Sequence, residues 1–271
     1  MEGRRNIGVT YIVCCIFGIP IPHIVPSKLK VKLSYCFIAL AVVVLSQSAW
    51  AQSSKDQAEA RALYRQVNSA AAGPALRAAL TRQGSGFFGG TAFQSGALRT
   101  FDNRYRPVPG LRYHAGLRMV EAQDSIDTDS THLWPVGSLR GFDLGEPGGE
   151  VAPRRFRPHL VKEGSAGIRR DFVEVLTAVD AGPLLLAWLY TSGADATAGR
   201  LSLMPLLLVG PGSGATEPLR PIELNQTAVL RLFGARTGEI RSFANGQKLR
   251  YDQPTEVARM IDYFNRVAVV K

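Results

Sequence analysis

The chain has 271 residues, a formal net charge of +10 and three cysteines. All three (Cys14, Cys15 and Cys36) lie in the first 51 residues. A product cut after residue 51 therefore has no disulfide framework, no cysteine-ligated zinc and no thiol nucleophile. The cut also removes five basic residues and one acid, leaving 27 basic against 21 acidic side chains, or +6. That charge is too small and too scattered for nucleic-acid binding, which needs clustered charge.

Residues 1–27 hold an apolar run, Ile7 to Val25, after Arg4-Arg5 and interrupted by Pro20 and Pro22. Lys28 to Ala51 then reads as a secretory signal. Lys28, Lys30 and Lys32 form its basic region and Leu33 to Leu45 its apolar region. Ala49-Trp50-Ala51 fits the cleavage site, with Gln52 as the first mature residue. The pattern predicts export, to the periplasm, the outer membrane or the medium. It also predicts a start near Leu29, with residues 1–27 upstream of the product. The alternative is a membrane hairpin that retains residues 1–51. Its second segment is shorter than the ~20 residues a spanning helix needs.

The mature chain divides into a helical segment (52–83), a β-rich body (84–222) and a helical tail (223–271). Ser53 or Ser54 can cap a helix running to Asn68, with Asp56 and Glu59 in its first turn. Pro74 opens a second helix through Thr81. From Gln83, glycines and alternating apolar residues predict strands at Leu98–Phe101, Leu111–His114, Arg118–Gln123, Leu133–Val136 and Leu139–Leu144. Arg154–Leu160 is strand-like, and Pro153 and Pro158 predict an edge strand or a bulge there. Phe172–Leu176 and Leu184–Tyr190 flank a turn at Asp180–Pro183. The second run is apolar on both faces and should be a central strand. Arg200–Val209 is another strand. Asn225 or Thr227 caps a helix, Glu239–Ala244 is a short one, and Glu256–Val267 is the last, with Val257, Met260, Ile261 and Phe264 on one face. The expected fold class is α+β, mainly β: an antiparallel β-meander, as a half-barrel or sandwich, flanked by short N- and C-terminal helices.

The pair Leu63-Tyr64, the strand motifs Leu111-Arg112-Tyr113, Leu139 to Leu144 and Phe172 to Leu176, and the tail motifs Glu239 to Phe243 and Val257 to Asn265 together resemble a loosely related group of uncharacterised exported proteins from Bacteroidetes. The resemblance covers most of residues 60–267 and implies export and a β-meander with a helical tail. Relatives often carry Asp after Leu-x-Tyr, where this chain has His114. The resemblance implies no activity.

No motif assigns a catalytic, cofactor-binding or metal-binding residue. His114, His132 and His159 lack ligand-pair spacing. Asp124, Asp127 and Asp129 lack the glycine and closing glutamate of a calcium loop. Ser138, Ser165 and Ser192 lie outside any G-x-S-x-G motif. Trp134, Trp188 and Phe142 are aromatic candidates for sugar stacking, with Trp188 expected in the core. Asp143, Glu146 and Glu150 are the candidates for a hydrolytic acid pair. The densest charge is Arg154-Arg155-Phe156-Arg157, with His159, Lys162, Arg169 and Arg170 after it. It reads either as an anion or envelope-surface contact or as the charged guard of an edge strand. The first expectation for function is an exported envelope or secreted protein that binds or scaffolds without catalysis. The alternatives are a periplasmic hydrolase using an acid pair in Asp143–Glu150, and a membrane-anchored protein retaining residues 1–51.

Overall fold

The computed structural model describes residues 54–125, 130–146, 148–162, 164, 167–195, 200–212, 214 and 216–269. Residues 28–51, expected from the sequence to be a signal segment, lie outside them, as do Asp127, Asp129 and Ser165. Ser53–Lys271 form one compact unit. Among the described residues no helix is long and apolar enough to cross a membrane.

Two helices lead in, α1 (54–67) and α2 (Gly73–Arg82). Pro74 stands in the first turn of α2, where a missing N–H costs nothing. Ten strands follow: β1 (Gln94–Arg99), β2 (Tyr105–His114), β3 (Met119–Gln123), β4 (Thr131–Pro135), β5 (Gly141–Leu144), β6 (Arg154–Lys162), β7 (Ile168–Val175), β8 (Leu185–Asp195), β9 (Arg200–Gly210) and β10 (Arg220–Pro221). They form one antiparallel sheet in the order β10-β9-β8-β7-β6-β5-β1-β2-β3-β4. The expected meander is thus two meanders. The first runs β1 to β4, and β5 then returns to the free edge of β1 and starts the second.

The edge strand β4 is covered by the leading helices. Asn68 on the α1–α2 link donates from Nδ2 to the Leu133 carbonyl (2.7 Å) and accepts from the Leu133 N–H (2.9 Å). Arg77 donates to the Thr131 carbonyl at 2.7 Å. Side chains thus satisfy backbone groups that an open edge would present to another chain.

Tyr113, Phe142, Phe156 and Phe172 fill the first core, with Phe142 and Phe156 stacked at 4.7 Å. Burial of each ring contributes roughly 1.5–3 kcal/mol. β8 is central and buried on both faces, as its apolar run predicts. Leu185, Ala187 and Leu189 pack with Val161, Val173, Val175 and Leu208, while Leu186 meets the C-terminal helices. Those helices are α3 (Gln226–Arg231), α4 (Thr237–Gly246) and α5 (Pro254–Val269). Asn225 caps α3 by accepting from the Ala228 N–H at 2.8 Å. Val257, Met260 and Ile261 form the buried face of α5.

β6 departs from expectation. It is not an edge strand: β5 and β7 pair with it on either side. The sequence cue was Pro158, and the ladder explains how it is tolerated. β5 reaches only to Phe156. Farther along the same edge, Leu219 donates to the Leu160 carbonyl (2.8 Å) and accepts from Lys162 (2.9 Å). Pro158 has the same strand parity as Phe156, Leu160 and Lys162. Its ring nitrogen therefore faces the gap between those two partners, where no N–H is missed. The Leu219 bridge brings the far end of the sheet back toward β6 without a closed barrel.

Candidate functional site

The gap at Pro158 opens into a cavity of about 430 Å³. Its walls come from six places in the chain. The β1–β2 turn supplies Arg99, Thr100, Phe101, Asn103, Arg104 and Tyr105. Arg140 precedes β5, Arg157 and Pro158 lie on β6, and Arg170 lies on β7. Asp180 and Gly214 come from loops. Five guanidinium groups thus face a single carboxylate.

Arg157 forms the floor and is 4 % exposed. Its Nη1 donates to Asp143 Oδ1 (2.7 Å) and to the Phe156 (2.8 Å) and Phe142 (3.1 Å) carbonyls. Its Nε donates to Asp180 Oδ2 at 2.6 Å. Among the described residues Nη2 takes no hydrogen bond. Gly141 makes this side-chain path available. Its φ is +145°, and a Cβ there would collide with the Phe156 carbonyl and stand 2.8 Å from Arg157 Cδ.

Asp143, also 4 % exposed, is held from both sides. Arg157 takes Oδ1, and Arg99 takes Oδ2 through Nη2 (2.9 Å) and Nε (3.2 Å). Asp180 joins Arg157 to Arg155 Nη1 at 3.1 Å. Arg155 also donates to the Ala178 carbonyl (2.8 Å) and the Thr177 carbonyl. The result is one chain of alternating charge, Arg99–Asp143–Arg157–Asp180–Arg155. The buried Asp143 carboxylate has a cation on both sides, as burial of such a group requires, and the partly exposed Asp180 is likewise flanked by two.

The loop that carries Asp180 is clamped from α5. Asp262 accepts from the Ala178 N–H at 2.8 Å. Asn265 bonds both backbone groups of Leu184, at 3.1 and 2.7 Å. Gly212 donates to the Gly182 carbonyl from the other side at 3.0 Å. His159 lies two residues beyond Arg157 and is 7 % exposed, with no hydrogen bond to Nε2. Burial lowers its pKa from 6.5 to about 4. Asp180 opposes that shift, while Arg157 and Arg170 reinforce it. The imidazole is therefore neutral at ordinary pH.

Arg140 and Arg170 have no carboxylate partner among the described residues. Arg140 donates only to Asn103 Oδ1. Asn103 holds this turn in a left-handed conformation, φ +62°, which asparagine tolerates. Tyr105 is 44 % exposed and Arg99 stacks on its ring at 5.2 Å. The cavity can accept hydrogen-bonding anions through fork-shaped donors, as guanidinium groups commonly do.

The other candidates are dispersed. The basic run is not a free surface. Arg154 is bidentate on Glu174 (2.6 and 2.5 Å), lies over Phe88 at 4.2 Å, and contacts Tyr190 at 2.8 Å. Burial and Glu174 push the Tyr190 phenol well up. Asp143 has both oxygens engaged, and Glu146 and Glu150 sit on the exposed loop before β6. The three histidines do not converge: His114 bonds the Gln83 carbonyl, and His132 bridges Tyr64 (2.9 Å) and Asp124 (2.8 Å). Among the described residues no three His, Cys, Asp or Glu could hold a metal. Phe142 and Trp188 pack in the two cores, and Trp134 lies against Tyr64 at 4.2 Å. Ser138 donates to the Pro135 carbonyl at 2.7 Å.

Ser192 lines a second cavity of about 360 Å³ with Arg118, Arg169, Asp171 and Tyr190. Burial raises the Asp171 carboxyl, although the Arg169 guanidinium 3.2 Å away lowers it.

Sequence reasoning found Arg157, Arg170 and Asp143 singly, but it missed Arg99, Arg140 and Asp180. One usable signal was Asp143 between Phe142 and Leu144 in an apolar strand, since a buried carboxylate demands a buried cation. Comparison with family models, with curated proteins and with solved structures gives no match.

Proposed function

We propose that this is an exported, non-enzymatic protein that binds a small anionic ligand in the arginine-lined cavity. One observation carries the reading: five guanidinium groups and one carboxylate surround about 430 Å³ of open space. Asp143, Asp102 and Asp180 offset the charge of Arg99, Arg104 and Arg157, and the excess left on Arg140 and Arg170 gives the cavity a positive potential. The buried Arg157–Asp143 pair, tied on to Asp180, fixes the floor in advance, so little ordering is lost on binding. Export is supported by the Lys28–Ala51 pattern, and N-terminal sequencing that finds Gln52 would agree with it. Retention of residues 1–51 would favour the anchored alternative.

Calorimetric titration of the purified protein with inorganic phosphate at low ionic strength tests the cavity. Arg140→Ala and Arg170→Ala should each weaken binding about tenfold, a loss of about 1.4 kcal/mol. Unchanged affinity in both variants would reject this site.

A further inference from the structure

Strands β7 and β8 separate below Glu174. Their ladder consists of Glu174–Trp188 and Val175–Ala187, with a further bond from the Leu176 N–H to the Leu186 carbonyl at 2.9 Å. Past Glu174, β7 continues to Ile168 beside β6, and β8 continues to Asp195 beside β9. Among the described residues no pairing joins β7 to β8 over these stretches. The Leu176–Leu186 bond fixes which groups face the split. Residues of the same parity, Arg170 and Phe172 on β7 and Tyr190 and Ser192 on β8, turn their N–H and C=O groups toward it. The Phe172 N–H meets a side chain instead of a strand, donating to Asp171 Oδ1 at 2.9 Å. Tyr190 and Ser192 have no such substitute among the described residues, so β8 presents an open edge there.

The split opens into the cavity of about 360 Å³ lined by Arg169, Asp171, Tyr190 and Ser192. The β2–β3 turn walls it with Ala115, Gly116 and Arg118. Gly116 lies so close to Ser192 that a Cβ would stand 2.6 Å from the serine Oγ. A chain lying along β8 toward Ser192 therefore meets the turn and ends there. Arg118 stands at that end. Its φ is +52°, a left-handed turn position that favours glycine, yet it carries a cation. Among the described residues its guanidinium makes no hydrogen bond or ion pair. Asp171 has its own cation, Arg169, at 3.2 Å. The cavity thus joins an unpaired strand edge to an unpaired positive charge.

We infer that the split between β7 and β8 takes the C-terminal end of an extended peptide, which adds a strand along β8 and sets its carboxylate on Arg118. Main-chain bonds to Tyr190 and Ser192 hold the peptide whatever its sequence, and the charge selects its end. An internal segment of a longer chain brings no terminal carboxylate and is stopped by the turn. The site shares no lining residue with the Pro158 cavity and does not rest on the anion reading of it.

Amide exchange followed by NMR on the purified protein tests this with three probes at equal concentration. They are an acetylated tetrapeptide mixture of random sequence, the same mixture amidated at its C-terminus, and acetate. The free-acid mixture should slow exchange of the Tyr190 and Ser192 amides about tenfold, and the other two should leave both unchanged. Arg118→Gln should abolish the protection, and it removes a charge that bonds nothing else. Ser192→Pro should abolish it at Tyr190. That change deletes an N–H outside the β8–β9 ladder, so the thermal melt should match the parent. Equal protection by free and amidated peptides would overturn the carboxylate contact on Arg118. Protection that survives Ser192→Pro would overturn strand addition. No protection by the free-acid mixture would overturn the whole proposal. Protection that grows with protein concentration in the absence of peptide would overturn it too, because a second copy would then occupy the edge.

Discussion

Replacing His159 by Gln should remove an acid sensitivity built in behind the cavity floor. The imidazole is buried beside Arg157 and Arg170, faces Asp180, and has a pKa of about 4 against 6.5 for a free histidine. Because the folded value is depressed, the fold favours the neutral ring. Its contribution is complete above pH 6.5, falls as pH drops toward 4, and is level below that. The gap between 6.5 and about 4 is worth about 3 kcal/mol at 1.36 kcal/mol per pH unit. Urea unfolding followed by tryptophan fluorescence, from pH 7.5 to 3.5 in monovalent buffers, measures it. Every other ionisable group is common to both proteins, so the difference between His159→Gln and the parent isolates this ring. The parent should lose about 3 kcal/mol more than the variant between pH 7 and pH 4. Parallel curves would show that the ring is charged or solvated in the fold, and the packing assigned to it would be wrong.

Three other substitutions test the scaffold under the cavity. Asp143→Ala strands the Arg157 guanidinium without its buried partner and should cost about 3–5 kcal/mol in urea unfolding. Gly141→Ala puts a Cβ into the Phe156 carbonyl at a φ of +145°, so it should cost well above the ~1 kcal/mol of an ordinary left-handed substitution. Asn265→Ala removes both bonds from α5 to Leu184 and should cost about 1–3 kcal/mol. Faster amide exchange across residues 177–184 should accompany it, because the loop holding Asp180 loses its clamp.

Much of the fold was legible because local chemistry and tertiary position agree in it. Leu184 to Tyr190 is apolar at every position, and β8 is buried on both faces. Asn225, one of the two residues expected to cap α3, caps it. Two features were not legible. The return of β5 to β1 joins residues about 45 positions apart, and no local pattern encodes that pairing. Pro158 read as an edge marker because proline lacks a donor. That chemistry also fits a gap between two partners on one edge, and only the Leu219 bridge distinguishes the two cases. The site was obscured for a related reason. Arg154, Arg155 and Arg157 look like a solvated run, yet each has a carboxylate partner: Glu174 on β7, Asp180 on the β7–β8 loop, and Asp143 on β5 together with Asp180. Charge density in sequence marked the strand correctly, but the exposed cations without carboxylate partners among the described residues lie beside it, Arg140 just before β5 and Arg170 on β7.

The central claim is that an anion occupies the cavity at Pro158, and the most direct measurement is anomalous diffraction from crystals soaked in selenate. The expected result is a selenium peak inside the cavity, with oxygens about 2.7–3.2 Å from Arg157 Nη2 and from Arg140 or Arg170. Selenate bound elsewhere on the protein, with the cavity filled only by water, would contradict it.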